Sequence, residues 1–312
     1  MSRPTASVIV PSRGGARRLP VLFGALEGQD TDDFEVIVVA DGDIDGTAAV
    51  VDEWSSRLPV RVIVFPENRG RSVALNTGAG AALGDVLIRA DDDLEPSADY
   101  VSRHLDQHRQ GDVGAIGIYL NQLPDTPYAR SYGRAADIRF RSEALAAPRS
   151  MQWRYWAGNV SVAREVHERI GGYDERYRRY GWEDVDYGYR LHRGGVDVRI
   201  VPELSTTHHV AASTTTIRAL RALHSGAARE TFVGIHGEEA LPSSAQTRGA
   251  WNRLVWAGAA LATERSLRAY GGAVDAVASL LPARVAEKLV ALGVESAGLA
   301  GIRNPARART SF

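Results

Sequence analysis

The residues best suited to chemistry in this chain are three consecutive acids, Asp91-Asp92-Asp93, which directly follow the apolar run Val86–Ala90. If the backbone stays extended there, Asp91 and Asp93 point to the same side, because side chains alternate along a strand. Carboxylate oxygens are hard ligands that suit Mg²⁺ or Mn²⁺. A solvated acidic turn is the alternative, and the position behind an apolar strand favours a metal site.

A second acidic pair, Glu183-Asp184, follows Trp182 at the start of a helical pattern. Helical spacing places Asp184, Gly188 and Leu191 on one face, so Asp184 is expected to point into a cleft. A carboxylate in the first turn of a helix is stabilised as an anion, and an anionic carboxylate beside a hydroxyl group can act as a general base. The alternatives are a capping role for Glu183 and a core position for Trp182.

Polar residues also follow the first two apolar runs. Pro11, Ser12 and Arg13 end the first run, and Asp41 ends the second. There Arg13 is placed to pair with a phosphate and Asp41 to accept a hydrogen bond from a uracil N–H, with turn formation as the alternative for both. A third segment, Asn68–Arg71, opens a helical pattern, which indicates either an anion site or a capped helix with solvated arginines.

Alternating strands and helices must position these residues in the first third of the chain. Helical spacing predicts helices at Leu19–Gln29, at Thr47–Arg57 and at about 70–83. Apolar runs predict strands at Ser7–Pro11, Phe34–Ala40, Val60–Phe65 and Val86–Ala90. The pattern is typical of a Rossmann-like α/β fold with a mostly parallel sheet flanked by helices, in which ligands gather beyond the carboxyl ends of the strands.

Beyond this third the pattern changes twice. Strands are predicted at Val113–Ile118 and Val198–Val201, and the stretch from Pro124 to Pro148 is predicted to be rich in loops. From Ile217 onward Ala, Arg and Leu recur with helical spacing, which predicts a C-terminal helical extension. That extension is expected to cover the core, to form a homodimer, or to contact a partner or a membrane surface.

Composition argues against several classes of protein. The chain has 312 residues with 37 Lys and Arg against 38 Asp and Glu, and its net charge of −1 argues against a nucleic-acid partner. It has no cysteine, which rules out disulfides, a thiolate zinc site and a cysteine nucleophile. No run approaches the roughly 18 consecutive apolar residues of a membrane span, and no signal-peptide pattern is evident, so a cytoplasmic protein is expected.

Three segments together resemble the family-2 inverting glycosyltransferases, which have the GT-A fold. They are EVIVVADGDIDGT at 35–47, PENRGRSVALNTGAGAALGDVLIRADDD at 66–93 and WAGNVSVAREVHERIGGYDERYRRYGWEDVDYGYRLHRGG at 156–195. The resemblance covers about residues 6–210. It implies a GT-A domain at 1–212, with a nucleotide-binding half at 1–110 and an acceptor-side half at 111–212, followed by the helical extension at 213–312.

The resemblance implies roles for the metal and the base. Asp93 matches the direct metal ligand of the DxD pair, and Asp91 is a second ligand or a contact of the ribose. In related enzymes a histidine further along the chain completes the metal site, and the spacing favours His208 over His209. Asp184 matches the catalytic base.

The remaining matches concern the nucleotide and the sugars. Asp41 matches the acid that reads uracil, although Ala40 and Asp43 depart from the family's DDGS pattern. Glu183 is expected to hold hydroxyls of the donor sugar or the acceptor. The other expected substrate contacts are Pro11, Ser12, Arg13, Arg71, Asp92 and Trp182, with Gly158 and Asn159 in a loop beside the donor sugar.

The implied reaction is a single displacement in which Asp184 deprotonates an acceptor as it attacks the anomeric carbon of a UDP-sugar, with inversion of configuration. Mn²⁺ or Mg²⁺ neutralises the departing diphosphate. The sugar is left open between N-acetylglucosamine, N-acetylgalactosamine, glucose and galactose. The acceptor is a small molecule or a glycan, in natural-product or cell-envelope biosynthesis.

Two alternatives remain on the sequence. A metal-dependent nucleotidyltransferase would use a phosphate loop after the first strand, of which Ser12–Gly15 is a faint version. A non-catalytic subunit that binds a sugar nucleotide would not need Asp184, so substitution of that residue separates it from the enzyme.

Overall fold

The computed structural model describes residues 3–109, 111–178, 181–241 and 249–309, which form two compact units. The first unit draws on residues 1–122, 141–175 and 183–209, and the second on residues 123–140, 176–182 and 210–312. The predicted boundary at residue 212 is close to the last crossing between the units. However, two shorter segments of the predicted first domain belong to the second unit, so a single boundary does not describe the chain.

The described residues contain ten strands and eleven α-helices. The strands are β1 (Ala6–Ser12), β2 (Phe34–Ala40), β3 (Val60–Val64), β4 (Val86–Ala90), β5 (Leu94–Glu95), β6 (Val113–Ile116), β7 (Tyr119–Asn121), β8 (Asn159–Ala163), β9 (Asp197–Ile200) and β10 (Thr206–His208). The helices are α1 (Leu19–Glu27), α2 (Thr47–Trp54), α3 (Arg71–Ala81), α4 (Tyr100–Gln107), α5 (Arg134–Ala146), α6 (Arg164–Ile170), α7 (Trp182–Arg193), α8 (Thr215–His236), α9 (Ala250–Leu261), α10 (Glu264–Val277) and α11 (Ala283–Arg303).

Seven strands form the central sheet of the first unit, in the order β3-β2-β1-β4-β8-β6-β9. Only β8 runs antiparallel to its neighbours in this sheet. All seven residues of β2 and six of the seven residues of β1 are buried. The strand directions confirm the predicted mostly parallel sheet. The burial of β1 and β2 is expected, because strands of a parallel sheet that is covered on both faces are apolar throughout.

A second, three-stranded sheet in the order β5-β10-β7 lies in the same unit. Its register pairs His208 with Leu94 on one side and with Asn121 on the other. This sheet therefore brings the segment after the three acids next to the predicted histidine ligand. Its strands have two or three residues each, too few for a periodic pattern, and the sequence did not predict them.

The predicted strands Phe34–Ala40 and Val86–Ala90 have the bounds that the structure shows. The loop-rich interpretation of residues 124–148 is wrong, because α5 occupies thirteen of these residues. Its sequence, RAADIRFRSEALA, has alanine or arginine at four of its first six positions and contains no proline or glycine, which is compatible with a helix. The prolines of this stretch lie outside the helix.

The C-terminal helices α8 to α11 dominate the second unit, which confirms the predicted helical extension. Side chains cap two of them: Thr214 accepts a hydrogen bond from the backbone of Ile217 at the start of α8, and Thr263 and Ser266 form a capping box at α10. Within the described ranges, no helix is long and apolar enough to cross a membrane.

Candidate active site

The carboxyl ends of β1, β2 and β4 lie side by side, because these strands are parallel neighbours. Ser12 Oγ donates to Asp92 Oδ2 at 2.6 Å, and Arg13 Nη1 donates to the main-chain oxygen of Asp41 at 2.8 Å. Pro11 is half-buried within β1. This edge of the sheet therefore gathers the polar residues that the sequence placed at strand ends.

Asp92 ties two segments of the fold together. Arg18 donates to both of its carboxylate oxygens at 2.8 Å, in addition to the bond from Ser12. The residue is buried, and burial raises the pKa of its carboxyl group against the effect of Arg18. Asp92 was expected to contact substrate, but in the structure its carboxylate is committed to bonds within the protein.

Asp41 is also bonded within the protein. Its two carboxylate oxygens accept hydrogen bonds from the backbone N–H groups of Arg69 and Gly70, at 2.5 and 2.9 Å, directly before α3. The donors that were expected to bind an anion at this helix start therefore face Asp41 instead. Asp43, the departure from the DDGS pattern, caps α2 by accepting from the backbone of Gly46, Thr47 and Ala48.

The predicted base Asp184 lies in the first turn of α7, as the sequence predicts, and is buried. Its Oδ1 accepts a short hydrogen bond from Nη1 of Arg89. The same guanidinium donates to Asp91 Oδ1 through Nε at 3.3 Å and Nη2 at 3.1 Å. One buried arginine therefore joins the predicted base to the first of the three acids.

Burial and the two arginines of the site give these carboxyl groups different pKa values. Burial raises the pKa of Asp184 to about 7, although Arg89 opposes the rise. For Asp91 burial also favours the neutral form, but the positive charges of Arg89 and Arg71 outweigh it and lower the pKa to about 2. Asp91 is therefore an anion at neutral pH, whereas Asp184 is balanced between its two forms, as suits a general base.

Aromatic rings support this network. The Arg89 guanidinium lies 5.8 Å from the ring of Tyr173, which stacks on Tyr187 of α7 at 4.3 Å. Trp156 Nε1 donates to the Tyr173 hydroxyl at 3.0 Å. Trp156 is buried, and its ring lies 5.5 Å from that of Tyr187, so it supports α7 from below.

The third acid, Asp93, faces the histidine that spacing favoured. His208 Nε2 lies 3.1 Å from Asp93 Oδ2, and its Nδ1 lies 2.6 Å from Asn121 Oδ1. His209 instead pairs with Glu95 at 2.7 Å. The structure therefore selects His208 over His209 as the partner of Asp93.

The second carboxylate oxygen of Asp93 tests whether the pair of Asp93 and His208 fits a divalent cation. Asp93 Oδ1 is buried and accepts no hydrogen bond from any residue that the structure describes. A buried carboxylate oxygen without a partner is costly unless a ligand completes it. A carboxylate oxygen is a ligand that suits Mn²⁺ or Mg²⁺, and an imidazole nitrogen suits transition metals, so the pair fits Mn²⁺ better than Mg²⁺.

The expected third ligand, Asp91, is not gathered with this pair. In the described part of the chain, no group of three or more His, Asp or Glu side chains converges as a metal site. Asp91 bonds to Arg89 through Oδ1 and accepts from the Tyr119 hydroxyl through Oδ2 at 3.0 Å. The structure therefore does not bring Asp91 together with Asp93 and His208, and the metal-ligand roles of these residues stay predictions.

Glu183 and Arg71 meet beside the base. Arg71 Nη1 lies 3.3 Å from Glu183 Oε1, and the Glu183 side chain is only 4% exposed. Trp182 belongs to the second unit, where its ring lies 5.1 Å from that of Phe232. The two acids of the Trp-Glu-Asp segment and its tryptophan are thus in different units.

Gly158 and Asn159 have structural roles next to the three acids. The main-chain oxygen of Gly158 accepts from Asp91 N at 2.9 Å, and a Cβ at this position would lie 2.1 Å from Asp91 Cγ. Asn159 is fully buried and donates to the main-chain oxygen of Leu204 and to Thr206 Oγ1. The expected contact between Asn159 and a donor sugar is therefore corrected, because its amide is enclosed by protein groups.

Sequence reasoning missed Arg89 and Tyr119. Arg89 is a charged residue inside an apolar strand, which is the one signal that could have found it, because a buried charge needs partners. Tyr119 bonds to Asp91 and stacks on His208 with ring centres 4.5 Å apart. It lies in a three-residue strand, and no pattern in the sequence marks it.

The fold is shared with solved structures. The chain is similar to the mannosyltransferase PcManGT from Pyrobaculum calidifontis in complex with GDP-Man and Mn²⁺, with a TM-score of 0.60 and 21% identity over 96% of this chain and 88% of that one. It is also similar to S. aureus TarS 1-349 in complex with UDP-GlcNAc, with a TM-score of 0.52 and 14% identity over 95% of this chain and 91% of that one. The fold is that of the GT-A glycosyltransferases.

The amino-acid sequence identifies the family, which the shared fold alone does not. Residues 7–169, just over half of the chain, match the family model described as glycosyl transferase family 2. The chain belongs to this family. A second model, described as the N-terminal domain of galactosyltransferase, matches residues 139–213.

Curated relatives agree with the family. The chain is 30% identical over 229 residues to the validoxylamine A glucosyltransferase of Streptomyces hygroscopicus subsp. jinggangensis, which covers 64% of this chain and 54% of the relative. It is 26% identical over 251 residues to the glycosyltransferase YfnE of Bacillus subtilis, which covers 65% of this chain and 64% of the relative. The chain thus spans between half and two thirds of the length of these relatives. These similarities do not support the nucleotidyltransferase alternative.

Proposed function

We propose that this protein is an inverting glycosyltransferase that moves one sugar from a UDP-sugar to an acceptor hydroxyl, with Asp184 as the general base. The observation that carries the proposal is the chain of contacts from Asp184 through Arg89 to Asp91. It links a carboxylate with a pKa near neutrality to the acids at the carboxyl end of β4, where ligands of such sheets bind.

Asp184, Arg89 and Glu183 each have a separate role in the proposed reaction. Asp184, with 11% of its side chain exposed, takes the proton from the acceptor hydroxyl. The acceptor oxygen then forms a bond to the anomeric carbon as the bond from that carbon to the diphosphate breaks, so the anomeric configuration inverts. Arg89 fixes the orientation of the Asp184 carboxylate, and Glu183, held by Arg71, is placed to bind a sugar hydroxyl beside it.

Asp93 and His208 are the residues that would hold a divalent cation. Such an ion neutralises negative charge on a departing diphosphate. The buried, unpartnered Oδ1 of Asp93 supports this assignment, as does the Mn²⁺ in the complex of the mannosyltransferase from P. calidifontis. Tyr119 stacks on His208 and its hydroxyl donates to Asp91, so it connects Asp91 to the histidine that faces Asp93.

The donor is argued from the similar proteins. TarS is in complex with UDP-GlcNAc and the Streptomyces relative is a glucosyltransferase, which supports UDP-linked N-acetylglucosamine or glucose among the four sugars considered. Both carboxylate oxygens of Asp41 accept hydrogen bonds from the start of α3, so Asp41 adds no support for the expected uracil contact. The acceptor is proposed to be a small molecule or a glycan.

Thermal melting tests the proposal directly. Melting temperatures are measured with UDP, UDP-sugars, GDP-mannose and nucleoside triphosphates, each with and without Mn²⁺. A ligand at a hundred times its dissociation constant adds about 2.7 kcal/mol to the free energy of unfolding, which a melting scan resolves. Stabilisation by UDP and by one UDP-sugar that requires Mn²⁺ is the expected result. A response to GDP-mannose alone would contradict the proposed nucleotide, and a response to triphosphates alone would contradict sugar transfer.

Turnover separates the enzyme from the non-catalytic alternative. The donor identified by melting is incubated with candidate acceptors, and the product's anomeric configuration is read by NMR. Inversion is expected, and retention would contradict the single displacement. Asp184→Asn is the matched variant, since it keeps the shape of the side chain and removes the base. A protein that only binds sugar nucleotides would show no turnover. In such a protein Asp184→Asn would leave the melting response to nucleotides unchanged.

A further inference from the structure

Asn159, at the start of β8, joins two segments of the candidate site through the main chain. Its own oxygen accepts from Gly117 N at 2.9 Å, two residues before Tyr119. The oxygen of the preceding residue, Gly158, accepts from Asp91 N, also at 2.9 Å. The backbone at this point of β8 therefore sets the positions of Asp91 and Tyr119, whose side chains are bonded to each other.

The side-chain amide of Asn159 reaches a third segment, which contains His208. Its Nδ2 donates to the main-chain oxygen of Leu204 at 2.7 Å and to Thr206 Oγ1 at 3.1 Å. Thr206 is the first residue of β10, and its N donates to the main-chain oxygen of Ile118 at 3.0 Å. Because β10 has only three residues, bonds at its first residue also restrain its last, which is His208.

The amide is enclosed so closely that it depends on a glycine. A Cβ at Gly117 would clash with Asn159 Nδ2 and with the main-chain oxygen of Leu204. Asn159 is 0% exposed, so bulk water does not reach these groups. Without the amide, the oxygen of Leu204 would keep only the bond from Thr206 Oγ1 at 3.1 Å. A buried oxygen that loses a donor destabilises the local structure.

A chain of hydrogen bonds that begins on α4 fixes the orientation of the amide. His104 Nε2 lies 3.3 Å from Asn159 Oδ1, and His104 Nδ1 and His108 Nε2 each lie 2.8 Å from Ser161 Oγ. Burial lowers the pKa of His104 to about 3 and that of His108 to about 4, so both rings are neutral at neutral pH. A neutral imidazole donates from one nitrogen and accepts at the other.

The order of donors in this chain follows from Asn159 Oδ1, which can only accept. His104 must therefore donate to it through Nε2 and accept from the hydroxyl of Ser161, which in turn accepts from His108. A flipped amide would set Oδ1 against the main-chain oxygen of Leu204 and lose these bonds. The amide nitrogen is thus held toward β10.

We infer that Asn159 is a positioning residue of the candidate site, which holds the segments of Asp91, Tyr119 and His208 in one arrangement. It acts through the backbone of β8 and through its amide bond to Thr206. The importance of the three side chains for sugar transfer rests on the proposed function, whereas their positioning can be measured without metal, nucleotide or sugar.

Hydrogen–deuterium exchange of the full chain without ligands tests the positioning. The segments to follow are the β7 segment, residues 117–122, and the β10 segment, residues 204–209, whose backbone amides bond to each other and to their neighbours. Asn159→Ala removes the amide and is expected to speed exchange in both segments about tenfold, because their local opening becomes easier. Exchange in β2 should keep its rate.

Gln152→Ala is the matched control. Gln152 is also a buried amide, and it donates to the main-chain oxygen of Ala147 at 3.0 Å and accepts from Ile200 N at 2.8 Å. This variant should also lower the melting temperature, but exchange in the β7 and β10 segments should match that of the unchanged protein. Equal acceleration of these two segments in both variants would overturn the inference.

Thr206→Val keeps the test decisive if Asn159→Ala does not fold. Valine has nearly the shape of threonine, so this variant removes the hydroxyl that accepts from Asn159 and leaves the amide in place. Faster exchange is then expected in the β10 segment, by a smaller factor than in Asn159→Ala. Exchange in this segment at the rate of the unchanged protein would contradict the inference.

Binding of Mn²⁺ separates this inference from the proposed function. Electron paramagnetic resonance measures the dissociation constant of Mn²⁺ in the presence of UDP. Asn159→Ala is expected to raise it about tenfold, because groups that orient metal ligands contribute at least that much to affinity, and Gln152→Ala should leave it unchanged. If the unchanged protein binds Mn²⁺ and Asn159→Ala binds it equally well, the inference is overturned. If the unchanged protein binds none, the proposed cation role fails, and the exchange rates still decide whether Asn159 is a positioning residue.

Discussion

Asp92 and Asp93 are neighbours in the chain, but their carboxylates have opposite surroundings. Asp92 receives bonds from Ser12 and from two nitrogens of Arg18, and nothing in its environment calls for a ligand. Asp93 has a buried oxygen without a described partner and faces His208. The same contrast separates Asp41, whose carboxylate is bonded to the start of α3, from Asp184, which keeps some exposure and a pKa near 7.

This comparison shows that residue type does not decide which acid does chemistry. A carboxylate that accepts several hydrogen bonds from the protein stabilises the fold, because its bonds are lost when the chain unfolds. A buried carboxylate with an unused oxygen stores the capacity to bind a cation or a proton. The contacts therefore separate two structural acids, Asp41 and Asp92, from Asp93 and Asp184, which we propose to be the chemical acids.

The largest effect is expected when a chemical acid loses its charge. Asp184→Asn should lower kcat by about 10²- to 10⁴-fold, since a positioned general base contributes that much. The melting temperature should hold or rise, because the variant removes a buried group that is costly to ionise. Transfer rates and thermal melts measure the two effects. A variant with undiminished kcat would show that Asp184 is not the base.

Removal of the arginine between two acids should cost the next most. Arg89→Met leaves Asp91 and Asp184 buried without their shared cation, which is expected to lower the free energy of unfolding by about 3–5 kcal/mol. Arg61→Met is the control, because Arg61 pairs with Glu35 at 3.0 Å but is 43% exposed, where such pairs contribute about 1 kcal/mol or less. Urea unfolding compares the two. Equal losses in the free energy of unfolding would mean that the ion pairs of Arg89 contribute no more than an exposed ion pair does.

A structural acid should respond in the opposite manner to Asp184. Asp92→Asn weakens the bonds from Arg18 and Ser12 and is expected to lower the free energy of unfolding by about 1–3 kcal/mol. At a temperature where the variant is folded, kcat should change less than in Asp184→Asn. Activity that vanishes while stability is unchanged would place Asp92 among the chemical acids.

The smallest effect is on pH dependence. Burial raises the pKa of Asp184 to about 7, and only its ionised form accepts a proton, so activity should rise with pH and level off above this value. At one pH unit below the pKa, the rate is expected to be about tenfold lower than on the plateau. In Arg89→Lys, a less well-placed cation should move the midpoint upward. A profile that is flat between pH 5 and 8 would contradict this assignment, whichever variant is used.

Much of the framework could be predicted from local patterns. The apolar runs of β2 and β4 are short, dense and bounded by turn residues, and the structure reproduces their limits. The position of Asp184 in the first turn of α7 could be predicted, because the helical spacing of Asp184, Gly188 and Leu191 places them on one face. Helix α5 was missed because the surrounding prolines suggested loops, although none lies within it.

The amino-acid sequence by itself determined the parallel strands, the position of the three acids at the end of β4 and the placement of Asp184 in the first turn of a helix, because these depend on local periodicity. Only the tertiary structure decided which acids remain available. Arg18 and Asp92 are 74 residues apart in the chain, and Arg89 and Asp184 are 95 apart. Hydrogen bonds over such separations arise when strands and helices pack, and no local pattern in the sequence records them.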